Sequence, residues 1–326
     1  SIHCNTQSQN TKVTFLVDNQ TFGVLLALLA AVCWGLGASL YKIVIKTEHS
    51  LFLTIAIRGS IAVPFIALVT FFVNGFASVG ILFSWEVFPI LFFSSIFVSV
   101  GDLSFFGSLQ RMDVSKAMPI SSIYPLFTAV WLIIFGLETV SYVVIIGIIV
   151  LVIGLGFLSQ QEEIADSEVE SSIKSGIVLA VTAAVFWSLG VYSLRLLLDF
   201  PEVDVYSLAT VRFGMLTGFF IILWSINTIY NYTQGKDDPA SLKHITPKVG
   251  VVFGIGGILS WGIGAISFFN SIELIGAARA TPISSINPLI SVTIGVLVLK
   301  EKLKPLQAIG IMLIIFGSIF VSLQRA

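Results

Sequence analysis

The amino-acid sequence predicts an all-α integral membrane protein with ten transmembrane helices, arranged as two inverted five-helix repeats. Three observations lead to this fold class. Apolar residues make up 56% of the 326 residues and charged residues only 11%, whereas soluble domains carry about 25% charged residues. Apolar runs of membrane-spanning length recur along the chain, and the second half repeats the residue pattern of the first.

The apolar runs are about 20 residues long and are separated by short polar breaks, and this length suffices to cross the hydrocarbon core as a helix. The runs are continuous instead of alternating, and backbone groups in lipid must be bonded within their own segment. Helices are therefore predicted, not barrel strands. The ten runs cover approximately residues 23–45, 50–73, 87–110, 116–136, 140–159, 175–198, 205–229, 248–272, 278–299 and 305–323.

Matching residues in the two halves indicate an internal repeat. The segment VLLALLAAVCWGLGASLYKIVI at 24–45 aligns with IVLAVTAAVFWSLGVYSLRLLL at 177–198, which places Trp34 over Trp187. Further along, the alignment pairs Arg58 with Arg212, Ser104-Phe105-Phe106 with Ser267-Phe268-Phe269, and Glu138 with Glu301. The register changes only in loops, as expected of two copies of one structural unit.

Five spans in each half is an odd number, so the second half is predicted to cross the membrane in the opposite sense to the first. Inverted repeats are typical of secondary transporters, whose two halves exchange inward-open and outward-open conformations around a central site. The predicted organisation is a polar N-terminal tail (1–21), a first five-helix repeat (22–160), an acidic linker (161–174) and a second five-helix repeat (175–323).

The features shared by the two halves resemble the drug/metabolite transporter superfamily, in particular its EamA-type ten-helix members. They are the tryptophan in the first span of each half, the arginine in the second, the Ser-Phe-Phe block in the third, the proline-rich fourth, and Lys300-Glu301-Lys302-Leu303 followed by Gln307 and Gly310. The resemblance implies a secondary carrier or exporter of small metabolites such as amino acids, with a cavity lined chiefly by helices 1, 3, 4, 6, 8 and 9. It also implies cytoplasmic termini, whereas the distribution of lysine and arginine over the loops predicts both termini outside.

Asp102 is the one carboxylate deep inside a predicted span, and no basic residue lies near it in sequence. Because ionisable groups within a membrane are costly, Asp102 is a candidate for binding an ammonium group of the cargo or for carrying a proton. The alternative is a carboxyl group that is held neutral or bonded to a neighbouring helix near the interface.

Aromatic residues form a second group of candidates. Trp34 and Trp187 lie near the middle of spans 1 and 6, and Trp261 lies well inside span 8, away from the interfacial belt where tryptophan usually gathers. Such a wall offers stacking, cation–π contact and an indole donor to an amphipathic solute. The alternative is helix packing, because Trp34 and Trp187 occur among small residues. Phe105 and Phe268, from the repeated Ser-Phe-Phe block, are further substrate-binding candidates.

The longest repeated motif is an octapeptide with two prolines, PISSIYPL at 119–126 and PISSINPL at 282–289. A proline inside a helix removes a backbone hydrogen bond and predicts a kink, and neighbouring serines can bond the exposed carbonyls or present hydroxyls to cargo. The single mismatch would make the two walls chemically different, one aromatic and one amide, and exchanging the two residues is predicted to shift substrate preference more than folding. The candidates from this motif are Ser121, Tyr124, Ser284 and Asn287.

Four further charged residues are predicted to have structural roles. Arg58 and Arg212 lie about seven or eight residues into spans 2 and 7, where a long side chain can reach the headgroups. Glu138 and Glu301 precede the last span of each half, where a carboxylate suits the positive N-terminus of a helix.

The sequence therefore predicts a secondary transporter, either an exporter or an exchanger, that moves a small metabolite such as an amino acid or related amphipathic solute by alternating access. The sequence contains no P-loop, so gradients or exchange must supply the energy. The expected partners are a small-molecule substrate and the lipid bilayer, with protons or a counter-substrate as coupled species. No nucleic acid, cofactor or metal is expected.

The expected location is the prokaryotic plasma membrane, where the protein would be a multi-pass monomer or homodimer. The first alternative is an intramembrane enzyme. An aspartyl protease would need a second deep carboxylate, which the sequence lacks. The second alternative is a receptor-like protein without transport.

Overall fold

The computed structural model describes residues 18–45, 50–158, 167–234, 246–298 and 305–322, and no β-strand occurs in these ranges. The helices are α1 (Asn19–Val44), α2 (Leu51–Asn74), α3 (Phe88–Arg111), α4 (Val114–Ser121), α5 (Tyr124–Ile134), α6 (Tyr142–Leu158), α7 (Ser167–Leu197), α8 (Val205–Thr233), α9 (Pro247–Gly257), α10 (Ala265–Ile275), α11 (Ala277–Ser284), α12 (Pro288–Val298) and α13 (Pro305–Ser322). A 3₁₀ turn at Ile81–Phe83 precedes α3, and a π-helical segment at Ile258–Gly264 joins α9 to α10.

Polar side chains fix where several helices begin. Asp18 accepts a hydrogen bond from the backbone N–H of Thr21 at 2.7 Å at the start of α1. Asp204 accepts bonds from the N–H groups of Tyr206 and Ser207, both at 2.9 Å, at the start of α8. Such caps satisfy donors that have no partner within the helix. Burial alone would raise the pKa of Asp204, but these hydrogen bonds favour the carboxylate and hold its pKa below the usual value.

Seven helical segments among the described residues are long and apolar enough to cross a membrane: Asn19–Val44, Leu51–Asn74, Phe88–Arg111, Val114–Ile134, Ser171–Leu197, Val205–Thr233 and Pro247–Ile275. Two shorter apolar helices cover Tyr142–Leu158 and Pro305–Val321. The prediction of an all-helical, multi-pass membrane protein is therefore confirmed. The count of ten spans and their inverted arrangement stay predictions.

Residues 1–17 of the predicted tail and 161–166 of the predicted linker lie outside the described residues, as does Glu301. Helix α1 begins at Asn19 and α7 at Ser167, so helical structure extends into both predicted segments. For α1 the reason is the cap at Asp18, which starts the helix before the apolar run begins.

The most extensive helix contacts join one predicted repeat to the other. They are the pairs α3 with α7, α6 with α13, α2 with α8, and α1 with α10. In the α6–α13 pair, a Cβ added to Gly310 would lie 2.7 Å from the carbonyl oxygen of Gly154. A Cβ on Gly317 would lie equally close, at 2.7 Å, to the carbonyl oxygen of Gly147. Glycines at this crossing let the two backbones approach, which favours packing between helices in lipid.

The proline octapeptides interrupt their helices. Helix α4 ends at Ser121 and α5 begins at Tyr124, while α11 ends at Ser284 and α12 begins at Pro288. Pro125 and Pro288 thus lie in the first turn of the following helix, where the missing N–H removes no intrahelical bond. The predicted kink is therefore a turn between two shorter helices.

Candidate functional site

A cavity of about 140 Å³ lies among helices of both predicted repeats, and its walls are mostly aromatic and aliphatic with a few polar groups. This composition is typical of a small-molecule site. The cavity is lined by nine of the ten predicted site residues, namely Trp34, Asp102, Phe105, Ser121, Tyr124, Trp187, Trp261, Phe268 and Asn287. Ser284 does not line it. In the described part of the chain, no group of His, Cys, Asp and Glu side chains is arranged to hold a metal ion.

Asp102 is bonded on both of its oxygens. Arg58 Nη1 donates to Oδ2 at 2.8 Å, and Trp187 Nε1 donates to Oδ1 at 2.9 Å. Asp102 is 4% exposed and Arg58 is 6% exposed, so the pair is buried. Both oxygens of Asp102 are thus bonded to neighbouring helices, as one alternative expects, and its role in binding cargo stays a prediction. Arg58 lies on α2, 44 residues away in sequence, which is why no basic neighbour was visible near Asp102.

The prediction that Arg58 extends to the headgroups is wrong. Its Nη2 donates to Ser260 Oγ at 2.9 Å, and its guanidinium carbon lies 4.2 Å from the ring centre of Trp261. A carboxylate, a hydroxyl and an aromatic face together offset the cost of burying the charge. Arg58 therefore directs its guanidinium to partners inside the protein, although its Nε has no hydrogen-bond partner among the described residues.

Arg212 is also buried, at 3% exposed, and lines the cavity, so its prediction as a surface anchor is wrong too. Its Nη2 donates to the backbone oxygen of Gly190 at 2.8 Å, and the ring centre of Phe269 lies 5.4 Å from its guanidinium carbon. Its Nε has no hydrogen-bond partner among the described residues. Arg212 differs from Arg58 in forming no ion pair with any described residue.

Two tryptophan–phenylalanine contacts mirror each other across the cavity. Trp34 packs against Phe268 with ring centres 5.0 Å apart, and Trp187 packs against Phe105 at 5.1 Å. Each contact joins one predicted repeat to the other, and the four residues occupy matching positions in the sequence alignment. The indole N–H groups find different partners, because Trp34 Nε1 donates to the backbone oxygen of Ser260 at 2.9 Å whereas Trp187 bonds a carboxylate. The two tryptophan–phenylalanine pairs therefore have the same ring packing, but their indole N–H groups donate to different kinds of acceptor.

The two octapeptides bond to each other. Tyr124 Oη lies 2.6 Å from Ser284 Oγ, and Ser122 Oγ donates to Asn287 Oδ1 at 2.7 Å. Ser121 and Ser284 each donate to the carbonyl oxygen three residues earlier, as predicted for serines beside helix-disrupting prolines. The two mismatched residues, Tyr124 and Asn287, therefore each contact the opposite octapeptide and also line the cavity.

Glu138 caps a helix, but not the one that follows it in sequence. Its carboxylate accepts hydrogen bonds from the N–H groups of Ala277 at 2.8 Å and Ala278 at 2.9 Å, at the start of α11. Arg195 Nε also donates to it at 2.7 Å, and Arg195 forms a further ion pair with Asp199. Glu138 therefore does bond to the N-terminus of a helix, but the predicted helix is wrong, because α11 belongs to the other predicted repeat.

Sequence reasoning missed two polar residues of the cavity, Tyr41 and Ser260, whose hydroxyl oxygens are 2.9 Å apart. Ser260 precedes Trp261 in the middle of an apolar run, a position that could have marked it. The matched arginines offered a clearer signal, because Arg58 and Arg212 recur at the same place in both halves. A charge at the same depth in two copies favours a shared internal role over two separate anchors.

The model of the EamA-like transporter family matches the chain twice, over residues 21–160 and 174–323. The chain belongs to the EamA-like transporter family. The proteins of this family that resemble it include an uncharacterised transporter of Archaeoglobus fulgidus, which is 24% identical over 92% of this chain and 98% of its own length. The glucose uptake protein GlcU of Bacillus subtilis is 25% identical over 93% of this chain and 98% of its own length. A putative sugar uptake protein of Listeria monocytogenes is 28% identical over 73% and 80%, respectively.

A solved crystal structure shares the fold of this EamA-like protein. The two chains superpose with a TM-score of 0.68 over 91% of this chain and 95% of the other, at 14% sequence identity. The long apolar helices and the bacterial and archaeal relatives confirm a multi-pass integral membrane protein and are consistent with a prokaryotic plasma membrane.

Proposed function

We propose that this EamA-like protein is a secondary transporter that moves a small hydroxylated solute, such as a monosaccharide or a close derivative, by alternating access. The observation that carries the proposal is the cavity between two mirrored tryptophan–phenylalanine contacts. Aromatic faces stack against the apolar faces of such a solute, and a few polar groups orient its hydroxyls. The names of relatives from Bacillus and Listeria, which refer to glucose or sugar uptake, support this class of cargo.

The amino acid suggested by the family resemblance has no support in the names of these relatives. The two alternatives without transport, an intramembrane enzyme and a receptor-like protein, have less support from the cavity and from the relatives. Asp102 is the only carboxylate among the described residues that line the cavity, and Arg58 and Trp187 already occupy its oxygens. A two-carboxylate acid–base mechanism would need a second such group in the cavity.

Alternating access requires two similar halves that can exchange conformations. The proposal therefore includes ten spans in two inverted repeats, which is supported by the paired contacts between the halves and by the two matches of the family model. The cluster of Glu138, Arg195 and the start of α11 suits a gate, because it ties the connection before α6 to α7 and α11. Opening the cavity at this end would require Glu138 and Arg195 to separate.

The test is counterflow of radiolabelled D-glucose into proteoliposomes, alongside a panel of amino acids and organic anions. We expect exchange of at least one hydroxylated solute, and we expect Trp34→Ala to abolish it because this indole forms part of the wall. Trp85→Ala is the matched control, since Trp85 is 91% exposed and does not line the cavity. If monodisperse wild-type protein exchanges no solute of the panel, or if both variants behave alike, the proposal fails.

A further inference from the structure

Arg58 and Arg212 occupy matching positions in the two halves, but of the two only Arg58 forms an ion pair with a carboxylate of the described residues. In the alignment that superposes the two Ser-Phe-Phe blocks, Asp102 of the first half corresponds to Ala265 of the second. Arg58 therefore has an ion-pair partner on α3, whereas Arg212 has an alanine at the corresponding place on α10. Ala265 and Arg212 both line the cavity.

The charges that face the cavity do not cancel. Among the described lining residues, Arg58, Asp102 and Arg212 carry formal charges. Arg58 and Asp102 neutralise each other through a contact of 2.8 Å. Asp102 also attracts Arg212 electrostatically, but its oxygens are already bonded to Arg58 and Trp187. One positive charge is left over in the wall.

An unneutralised guanidinium is costly to bury, so such groups are usually paired. Within the described part of the chain, Arg212 donates one hydrogen bond, to the oxygen of Gly190, although a guanidinium has five N–H donors. Its Nε is buried without a partner among the described residues, as is the Nε of Arg58, so the feature that distinguishes Arg212 is the missing ion pair. The unused N–H donors of Arg212 and the net positive charge of the cavity wall would together suit one anionic group of a ligand that enters the cavity.

We propose that Arg212 binds a carboxylate of the cargo, so that the transported solute is a small monocarboxylate. This inference rests on the proposed transport function and names its substrate class. A carboxylate matches the planar donor fork of arginine, and a single negative charge would neutralise the cavity. A hydroxylated monocarboxylate, a sugar acid in chemical class, would also use Tyr124 and Asn287, which line the same cavity.

The test compares carboxylates with neutral counterparts of similar shape. Purified protein is titrated at constant ionic strength with D-glucuronate against D-glucose and with phenylacetate against phenylacetamide. Intrinsic fluorescence reports binding, because Trp34, Trp187 and Trp261 line the cavity. We expect the carboxylate of at least one pair to bind about 10- to 100-fold more tightly than its neutral counterpart, as typical for a hydrogen-bonded charge. A preference in the glucuronate pair supports a sugar acid, whereas a preference in the phenylacetate pair alone would support the carboxylate site and contradict the hydroxylated class of cargo.

Two variants test the role of Arg212. Arg212→Gln should remove the preference for the carboxylate. Ala265→Asp should remove it as well, by supplying the carboxylate that the second half lacks, while Ala265→Asn of similar size should keep it. If neither pair shows a preference in the wild type, or if Arg212→Gln retains one, the inference is overturned.

The two proposals fail in different ways. Counterflow of D-glucose without any carboxylate preference would leave the transport function standing and refute the role of Arg212. Carboxylate binding that depends on Arg212, without counterflow of any solute, would support the binding site and refute transport.

Discussion

Arg58 and Arg212 occupy matching positions in the two halves of the sequence, and both are buried against the same cavity. Arg58 donates to a carboxylate and a hydroxyl and stacks on Trp261. Arg212 donates to a single backbone oxygen. The comparison shows that a repeated scaffold can hold the same side chain twice in two different surroundings, one with an ion-pair partner and one without such a partner among the described residues.

The largest expected effect is a difference in the free energy of unfolding between variants of Arg58 and Arg212. Arg58→Gln leaves Asp102 buried without its ion-pair partner, and loss of one member of a buried pair costs about 3–5 kcal/mol. Arg212→Gln removes a charge that has no ion-pair partner among the described residues, so the free energy of unfolding should change by less than about 1 kcal/mol. Reversible unfolding in mixed detergent micelles, followed by tryptophan fluorescence, measures both values.

The control for Arg58→Gln is the double variant Arg58→Gln/Asp102→Asn, which removes both charges. It should recover part of the lost stability, because no uncompensated carboxylate remains. Equal losses for Arg58→Gln and Arg212→Gln would show that the two residues have the same structural role.

A smaller effect should separate the mirrored tryptophans. Trp187→Phe removes a hydrogen bond to a charged carboxylate, which contributes about 1.5–3 kcal/mol. Trp34→Phe removes a bond to the backbone oxygen of Ser260, which contributes about 0.5–1.5 kcal/mol. Both variants keep an aromatic ring against its phenylalanine. The same unfolding measurement should therefore rank Trp187→Phe as the more destabilising, and the reverse order would contradict the assigned partners.

The smallest effect concerns the octapeptides. Tyr124→Phe and Ser122→Ala each remove one of the two bonds between these motifs, and each should cost about 1 kcal/mol in the free energy of unfolding. The bonds share no residue, but Ser122 and Tyr124 are close neighbours, so the double variant is needed to measure the interaction energy between the two changes. A strong interaction energy between the two changes would mean that the octapeptides form one cooperative network.

The exchange of Tyr124 and Asn287 tests the sequence-based prediction that this mismatch sets substrate preference more than folding. The structure adds that the exchange breaks both bonds between the motifs. If the transport profile and the carboxylate preference stay unchanged in the exchanged protein, the prediction is wrong.

Most of the cavity wall could be predicted from the sequence, because its residues are unusual for where they stand. A tryptophan in the middle of an apolar run, a lone aspartate in a span and a duplicated proline motif each conflict with an ordinary lipid-facing helix. With Phe105 and Phe268 from the repeated Ser-Phe-Phe block, nine of the ten predicted site residues line the cavity, and their role in binding stays a prediction. Arg58 and Arg212 were misjudged, because a long cationic side chain near a helix end can turn either to the headgroups or to the interior.

Composition, run length and internal repetition determined the all-helical membrane fold and the family of this protein, because the bilayer imposes helices on any long apolar run and a repeated pattern is local to each copy. Only the tertiary structure decided which charges meet. Asp102 pairs with Arg58 on another helix, and Glu138 caps a helix of the other half. Arg212 lines the cavity with Ala265 at the position that corresponds to Asp102 in the first half. Ion pairs depend on distances between helices, and these distances follow from how the two halves pack against each other.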